Sequence, residues 1–355
     1  MTRAVPLSVL DLAPVPSGST SGQALADTVE LARQVERLGF LRFWVAEHHG
    51  MAGVASSAPA VLVGAVAAAT STMRVGSGGV MLPNHAPLVV AEQFGMLEAL
   101  HPGRIDLGLG RAPGTDPRTA AALRRTTDGL SADDFPEQLT QLVGFFRGTV
   151  PGLSAVPAEG NEPAVWLLGS SGYSAQVAGL LGLPFAFAHH FSPHNTEPAL
   201  ELYREVFRPS DVLSAPYAAV CVPVIAADSE RRARELAEPG ALSFLRLRSG
   251  MPGVLPSEAE AEAHPWTPRE RDFVEDRLAN QVLGDPDGVR RGLESLLTRT
   301  RADELLVTTT THDPADRLRS FELVAGLAAG APLALPGPAG RPRPIGPNRV
   351  GQPVF

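Results

Sequence analysis

The sequence predicts an α/β protein built as a single (β/α)8 TIM barrel. Short apolar runs of about four to eight residues alternate with longer stretches of helical period, the pattern of βα units around a parallel sheet. The chain has 355 residues, a length that suits either one such barrel or two smaller domains. Hydrophobic residues make up 44% of it, enough to build a large core. Because the alternation continues past the midpoint, we predict one barrel domain over residues 1–330.

The first part of the chain contains four predicted strands with helices between them. The first helix shows the reasoning: Leu25, Val29 and Ala32 recur at helical spacing, and Gly39 then ends the helix. The predicted strands are Leu7–Leu12, Phe43–Ala46, Arg74–Leu82 and Arg104–Leu109, with helices at Gly22–Leu38, Ala58–Thr70 and Pro87–Leu100.

The second part repeats the alternation and supplies four more strands. Two segments break the pattern. Ser249–Asp287 is polar and long for a βα connection, so we interpret it as an insertion before strand eight and a candidate lid over the strand ends. Ala331–Phe355 is rich in proline and glycine, and we expect a mobile tail or an arm that lies on a neighbour. The predicted helices are Asp134–Phe146, Tyr173–Leu181, Thr196–Phe207, Ser229–Leu247 and Pro314–Ala328, and the strands are Ala164–Leu168, Phe185–Ala188, Tyr217–Ala226 and Glu304–Thr308.

Charge and cysteine content exclude several classes of function. The net charge of −8 gives no long-range attraction for nucleic acid or for an anionic membrane surface. Cys221 is the only cysteine, so the chain can form neither an intramolecular disulfide bond nor a cysteine-ligated metal cluster. The first residues lack the apolar run of a secretory signal, and the longest apolar stretch, Ala58–Ala69, is well short of the roughly 20 residues of a spanning helix. We expect a soluble cytoplasmic protein.

The second predicted helix, Ala58–Thr70, is apolar or small on every side. A barrel helix normally keeps one polar face toward water, so this composition predicts a cover over the outer face as well. A second subunit would provide that cover, and we expect a homodimer through helix two. The alternative is that alanine and glycine simply tolerate exposure there.

Three polar residues, Glu47, His48 and His49, follow the second strand. In a (β/α)8 barrel the active site lies at the carboxyl ends of the strands, so this position favours a catalytic role. A histidine there can act as a general base or donate a hydrogen bond, and we take His48 and Glu47 as the candidate catalytic residues. Neighbouring strand residues point to opposite sides, so only one of the two is expected to face the barrel axis, and the other is expected to support it. The alternative for His48 is a structural role.

A candidate phosphate site follows strands four and five. Ser170 and Ser171 come directly after strand five and before a helix, so their hydroxyls and backbone N–H groups point at one volume, and Ser174 lies about one turn further. Arg111 follows strand four and can supply a guanidinium to phosphate oxygens. An ordinary helix N-cap is the alternative for the serines. The predicted cofactor site comprises Gly110, Arg111, Gly169, Ser170, Ser171 and Ser174, with Arg124 or Arg125 as further candidates.

Gly78 and Gly79 remove two side chains at the end of strand three. Their absence suits the close approach of a flat ring to the backbone, and we include both glycines in the cofactor site. The alternative is a simple turn.

Two other motifs are weaker. Gly108–Gly114 follows a strand like a dinucleotide-binding loop, but its third glycine is one residue late and Pro113 is poorly placed. The pairs His48-His49 and His189-His190 suggest a metal site, yet adjacent histidines on a strand diverge, and strand eight ends in threonines without a carboxylate ligand. We therefore expect neither a Rossmann site nor a metal ion.

The sequence resembles the luciferase-like flavin-dependent oxidoreductases from Leu7 to about Ala328. Four pieces carry the resemblance, in the family's order, at the ends of strands two to five. They are Trp44–His49, Val75–Pro83, Gly103–Arg111, and Gly169–Ser171 followed by Gly182–Pro184.

The resemblance implies an eight-stranded barrel that holds FMN, with reduced flavin delivered by a separate flavin reductase. It implies that His48 matches the catalytic histidine, and that a cis peptide bond between Gly78 and Gly79 lies beneath the flavin ring. The phosphate contacts that it implies are Ser171, Ser174 and Arg111.

Some positions depart from the luciferase pattern. Luciferase has an acidic residue where Ser170 stands and a tryptophan near the flavin ring where His189 stands, and we count His189 among the flavin contacts. Its long mobile loop differs from Ser249–Asp287. These departures speak against transferring aldehyde specificity or light emission, and they leave flavin binding intact.

The sequence therefore predicts an FMN-dependent monooxygenase that uses reduced flavin and molecular oxygen on a small organic substrate. Two alternatives stay open: a deazaflavin-dependent hydride-transfer enzyme on the same barrel, and a non-catalytic flavin-binding protein. The residues do not identify the substrate. Phe185, Phe187 and Phe191 are candidate pocket walls, although alternating aromatic residues on a strand are also typical of a core.

Overall fold

The computed structural model describes residues 3–111, 117–123, 134–330 and 333–335. The strands are β1 (Arg3–Ala4), β2 (Leu7–Asp11), β3 (Arg42–Val45), β4 (Arg74–Met81), β5 (Ile105–Gly110), β6 (Ala164–Gly169), β7 (Phe185–Phe187), β8 (Ala218–Ala226), β9 (Val282–Gly284), β10 (Glu304–Thr308) and β11 (Ala334–Leu335). The helices are α1 (Ser21–Arg37), α2 (Pro59–Ala69), α3 (Pro87–Leu100), α4 (Pro117–Ala122), α5 (Phe135–Phe146), α6 (Gly172–Leu181), α7 (Thr196–Val206), α8 (Glu230–Arg248), α9 (Glu258–Glu262), α10 (Pro268–Ala279), α11 (Pro286–Thr300) and α12 (Pro314–Gly330).

Eight parallel strands close into a barrel in the order β2, β3, β4, β5, β6, β7, β8, β10, and β10 returns to pair with β2. The closing register places Leu305 opposite Leu7 on one side and opposite Val220 on the other. All eight barrel strands that the sequence predicts are confirmed, and no bound shifts by more than one residue. The predicted (β/α)8 architecture is therefore correct.

The interior of the barrel contains a buried polar network at the amino-terminal ends of the strands. Arg42 is 1% exposed and bonds to Asp106 at 2.7 Å and to Glu304 at 2.6 Å. The indole of Trp44 donates to Asp106, and the hydroxyl of Tyr217 donates to Glu304. Because these charges are matched and fully bonded, they can fill this end of the barrel without an unpaired ion.

The main apolar core lies between the strands and the helices. Phe185 and Phe187 are both buried within it, whereas Phe191 is 57% exposed. The first two phenylalanines are therefore core residues, and the pocket-wall interpretation is wrong for them.

The insertion predicted over Ser249–Asp287 contains α9, α10 and β9, and β9 extends β8 outside the barrel by parallel pairing. Its first loop lies on the carboxyl-terminal side of the barrel. Leu255 pairs with the segment after β2, where its N–H donates to Val15 O at 2.8 Å. The backbone of Gly53, after β3, lies so close to the insertion that a Cβ at this position would be 2.4 Å from Gly253 O. The insertion thus covers part of the strand ends, as a lid would.

Helix α11 was not predicted, although the sequence carries its signals. Asp285 caps the helix by accepting the N–H of Gly288, and Pro286 occupies the first turn. A buried stripe of Val289, Leu293 and Leu296 then packs on the barrel. These signals follow directly on the insertion, whose polar composition masked the start of a regular helix.

Only the beginning of the predicted tail falls within the described residues. Leu333 is buried and accepts the N–H of Val5, and β11 pairs antiparallel with β1. These residues are therefore anchored to the start of the chain. Residues 336–355 lie outside the described part.

Helix α2 has the apolar composition that the sequence indicates, but it spans only 11 residues. Within the described ranges, no helix combines the length and the apolar character required to cross a bilayer.

Candidate active site

The glycine pair lies on β4, where the strand pairs with β5. The Gly78–Gly79 peptide bond is cis, as the resemblance implies, and the register between the two strands shifts there. A Cβ on Gly79 would lie 2.6 Å from Gly108 O, and one on Gly78 would lie 2.5 Å from a methyl carbon of Leu10. Gly79 has no room for a side chain because backbone faces it, whereas a side chain at Gly78 would require Leu10 to move.

His48 follows β3 and is partly buried. Its backbone N–H donates to Ser56 O at 3.0 Å, which fixes the main chain, while its Nδ1 is buried and has no hydrogen-bond partner among the described residues. Burial lowers the pKa of His48, with Glu47 opposing the shift and His49 adding to it. The imidazole is therefore neutral at neutral pH and able to exchange a proton.

Glu47 is buried, and its carboxylate contacts three neighbouring residues. Its carboxylate lies 2.8 Å from Nε2 of His49 and 2.8 Å from Nε2 of His85, and it accepts the N–H of Met81 at 3.0 Å. Burial raises the pKa of Glu47, but these bonds outweigh it and hold the pKa below the ordinary value of 4.5. The carboxylate of Glu47 is therefore occupied by three neighbours, whereas Nδ1 of His48 has no hydrogen-bond partner among the described residues.

The same three side chains could bind a metal ion, because one ligand atom from each of Glu47, His49 and His85 lies within 4.8 Å of the others. In the structure these atoms are joined by hydrogen bonds. The cluster was not recognised from the sequence, since His85 lies 38 positions from Glu47 and no local spacing connects them.

The predicted phosphate site forms where β5 and β6 end side by side, with Gly110 opposite Leu168. The guanidinium carbon of Arg111 lies 4.0 Å from the ring centroid of Tyr173, in the first turn of α6. Ser171 occupies the N-cap of that helix without a side-chain capping bond, and the first turn contains no acidic residue. Arg111 and the start of α6 are thus neighbours in space.

Ser174 is buried behind Gly169. A Cβ on Gly169 would lie 2.6 Å from the hydroxyl of Ser174, so glycine is required there. None of the hydroxyls of Ser170, Ser171 and Ser174 bonds to a described residue. Free hydroxyls, helix N–H groups and one guanidinium are the donors that a phosphate requires, so the residues present fit this group. Arg124 and Arg125 lie outside the described residues.

A family model described as luciferase-like monooxygenase matches residues 5–304 of the chain. This chain belongs to the luciferase-like monooxygenase family. It is 50% identical to the luciferase-like monooxygenase of Escherichia coli (strain K12) over 90% of this chain and 96% of that protein. It is 32% identical to N-acetyl-S-alkylcysteine monooxygenase of Bacillus subtilis over 92% of this chain and 98% of that protein.

Solved structures share the whole barrel. The crystal structure of apo-MsnO8 superposes with a TM-score of 0.85 at 39% identity, covering 92% of this chain and 99% of that one. The oxygenating constituent of 3,6-diketocamphane monooxygenase from Pseudomonas putida, in complex with FMN, has a TM-score of 0.72 at 20% identity, covering 94% and 99%. The coenzyme F420-dependent tetrahydromethanopterin reductase from Methanopyrus kandleri has a TM-score of 0.64 at 16% identity, covering 91% and 98%. The last two show the fold alone, and the family match identifies a flavin-dependent monooxygenase.

In this luciferase-like monooxygenase, His189 lies in the turn after β7 and contacts the start of α7. Its Nδ1 lies 2.7 Å from the hydroxyl of Thr196, and the residue lines a cleft with Glu197 and Arg299. Burial lowers the pKa of His189 to about 4, with the charge of Arg299 contributing. A flavin contact at His189 stays a prediction.

His190, the next residue in the turn after β7, is directed toward β8. Its Nδ1 lies 3.4 Å from Cys221 O on β8. Burial lowers the pKa of His190 to about 4, a backbone bond to Cys221 opposes the shift, and Arg277, His189 and His48 lower it further. His190 is thus near His48 at the mouth, a position that the sequence did not distinguish from that of His189.

Proposed function

We propose that this protein is an FMN-dependent monooxygenase that uses reduced FMN and molecular oxygen to oxygenate a small organic substrate. The observation that carries this proposal is the donor set around Arg111, Ser171 and Ser174, which suits a flavin phosphate and contains no competing carboxylate in the first turn of α6. When bound, the reduced flavin would supply the electrons that activate oxygen.

The ring of the flavin would lie against Gly78 and Gly79. The absence of side chains at this pair leaves backbone as the supporting surface, and Met81 and Gly110 pair beside it at the ends of β4 and β5. A cofactor anchored by its phosphate at β5 and β6 would therefore reach the glycines on the neighbouring strand.

His48 would move a proton at the mouth. Its buried, unpartnered Nδ1 and lowered pKa make it a neutral acceptor at neutral pH. Glu47 would position His48. By binding His49 and His85, it holds the segments after β3 and β4 together beside that histidine.

The insertion would keep water from the reacting groups. Its contacts with the loops after β2 and β3, through Leu255 and Gly253, cover part of the strand ends. Excluding water suppresses wasteful release of hydrogen peroxide and strengthens the polar interactions inside the site.

A direct experiment supplies chemically reduced FMN and isotopically labelled oxygen to the protein with a panel of small substrates. The panel includes N-acetyl-S-alkylcysteines, because a relative of this chain carries that activity in its name. We expect FMN to bind and one labelled oxygen atom to enter a product, detected by mass spectrometry. NADH with FMN should support turnover only when a flavin reductase is added. Absence of FMN binding would refute the proposal.

The deazaflavin alternative is also compatible with this barrel, because a coenzyme F420-dependent reductase has the same fold. Oxygen separates the two reactions: a hydride-transfer enzyme would turn over anaerobically with the deazaflavin, and the proposed monooxygenase would not. Turnover of reduced deazaflavin without oxygen would replace the FMN proposal.

We also propose that two copies associate through α2. Val61 is 74% exposed and Ala65 and Ala68 on the same face are exposed, while Met96 and Leu100 on the neighbouring α3 add further exposed apolar surface. Sedimentation velocity tests this: Val61→Glu should shift a dimer to monomer, while Val156→Glu, an equally exposed valine at 73%, should not. A monomeric wild type would refute the dimer.

A further inference from the structure

Arg277, on α10 of the insertion, carries a positive charge that no described acidic residue neutralises. Within the described parts of the chain, its side chain forms no hydrogen bond or ion pair, and its Nε is buried. Burial lowers the pKa of Arg277 to about 10, so the group remains charged at neutral pH. A partly buried charge without a partner among these residues is costly, and such groups are enriched where a ligand binds.

The guanidinium of Arg277 is held face-on by an aromatic ring. Its carbon lies 3.6 Å from the ring centroid of Phe244 on α8, and that ring stacks in turn on Phe273, with centroids 5.9 Å apart. Contact through the flat face leaves the N–H groups at the edge of the guanidinium free to donate.

This arginine is close to the barrel mouth. Its stacking partner Phe244 is on α8, and a Cβ on Gly240 of the same helix would lie 3.6 Å from Thr310 O, just after β10. The charge of Arg277 also helps to lower the pKa of His190, whose backbone N–H donates to Cys221 O at 3.2 Å. Arg277 is therefore held by a helix that lies over the strand ends, within electrostatic range of the histidine that follows β7.

A second arginine on the same helix provides a contrast. Arg271 also lies over an aromatic ring, that of Trp266 at 4.4 Å, but it is paired with Glu238 at 3.2 Å. Of the two stacked arginines on this helix, Arg271 is therefore neutralised by Glu238, whereas Arg277 has no acidic partner among the residues that the structure describes.

We propose that Arg277 binds the carboxylate of an anionic substrate at the mouth of the barrel. This inference rests on the proposed oxygenation of a small organic molecule there. A guanidinium and a carboxylate form two parallel hydrogen bonds, so Arg277 would both select acids and orient them. The phosphate of FMN is the other available anion, and the experiment separates the two.

The test measures binding to the FMN-loaded protein by isothermal titration calorimetry. The probes are carboxylic acids of increasing size, from acetate to N-acetyl-S-benzylcysteine, each paired with its neutral primary amide. The variants are Arg277→Gln, Arg277→Lys and the matched control Arg271→Gln. FMN and riboflavin are titrated against the same variants, and thermal unfolding checks that each is folded.

We expect at least one acid to bind the wild type tenfold or more tightly than its amide, the difference that charge-assisted hydrogen bonds typically produce. Arg277→Gln should abolish that preference, Arg277→Lys should keep part of it, and Arg271→Gln should leave it unchanged. The inference is overturned if no acid binds more tightly than its amide, or if the preference survives Arg277→Gln. Selective loss of FMN over riboflavin binding in Arg277→Gln would assign the charge to the flavin phosphate, and it too would overturn the inference. Failure of FMN to bind the wild type would instead refute the proposed function.

Discussion

Replacing Arg111 with alanine should weaken FMN binding and leave riboflavin binding unchanged. The guanidinium lies at the first turn of α6 and forms no ion pair with a described residue, so its loss removes a phosphate partner without releasing another charge. Riboflavin lacks the phosphate and therefore reports any change in the rest of the site.

The magnitude follows from burial. A hydrogen bond to a charged group contributes about 1.5–3 kcal/mol. Arg111 is only partly buried, and solvent screening places its contribution in the lower half of that range, about 1.5–2 kcal/mol. At about 1.4 kcal/mol per factor of ten, FMN affinity should fall roughly 10- to 30-fold.

The assay is a fluorescence titration of FMN and of riboflavin against wild type, Arg111→Ala and Arg111→Lys. Arg147→Ala, which removes an arginine paired with Glu162 at 3.0 Å, serves as a control for loss of a cation elsewhere. The lysine variant should keep part of the affinity because it keeps the charge but loses the planar fork. Equal losses for FMN and riboflavin, or no loss for either, would refute the placement of the phosphate.

Three further predictions concern the histidine cluster and the barrel interior. His48→Ala should still bind FMN but release hydrogen peroxide in place of product. Burial lowers the pKa of His48 in the wild type. The wild-type product yield should therefore stay constant as the pH falls to about 6.5 and decrease only below that pH. Unchanged product yield in the variant would contradict this role. Glu47→Gln should reduce the pH dependence of the free energy of unfolding, measured in urea. The pKa of Glu47 in the folded protein is below its ordinary value of 4.5. The ionised carboxylate therefore stabilises the fold above that value, and this stabilisation is lost as the pH falls through the folded pKa. If the free energy of unfolding of the variant changed with pH as it does in the wild type, the carboxylate would not be held by these bonds. Arg42→Leu should lower the free energy of unfolding by about 3–5 kcal/mol, because it leaves Glu304 buried without its cation; a loss below about 1 kcal/mol would mean that the network relaxes.

The eight barrel strands were predictable because each is a short apolar run bounded by turn residues. The strand-end motifs around His48, Gly78 and Ser171 were predictable too, since the fold class alone places those positions at the mouth. Helix α11 was within reach, because Asp285, Pro286 and the stripe from Val289 to Leu296 are local signals.

Local sequence patterns were enough to predict the barrel, the order of its strands and the family, because periodicity and motif order are properties of neighbouring residues. The folded chain was needed to show that His189 bonds to Thr196, that Glu47 binds His85, and that Arg277 has no ion-pair partner among the described residues. Each of these depends on contacts between residues far apart in the chain or on side-chain direction at a strand end. Such contacts are set by how the barrel closes, and no spacing within the sequence encodes them.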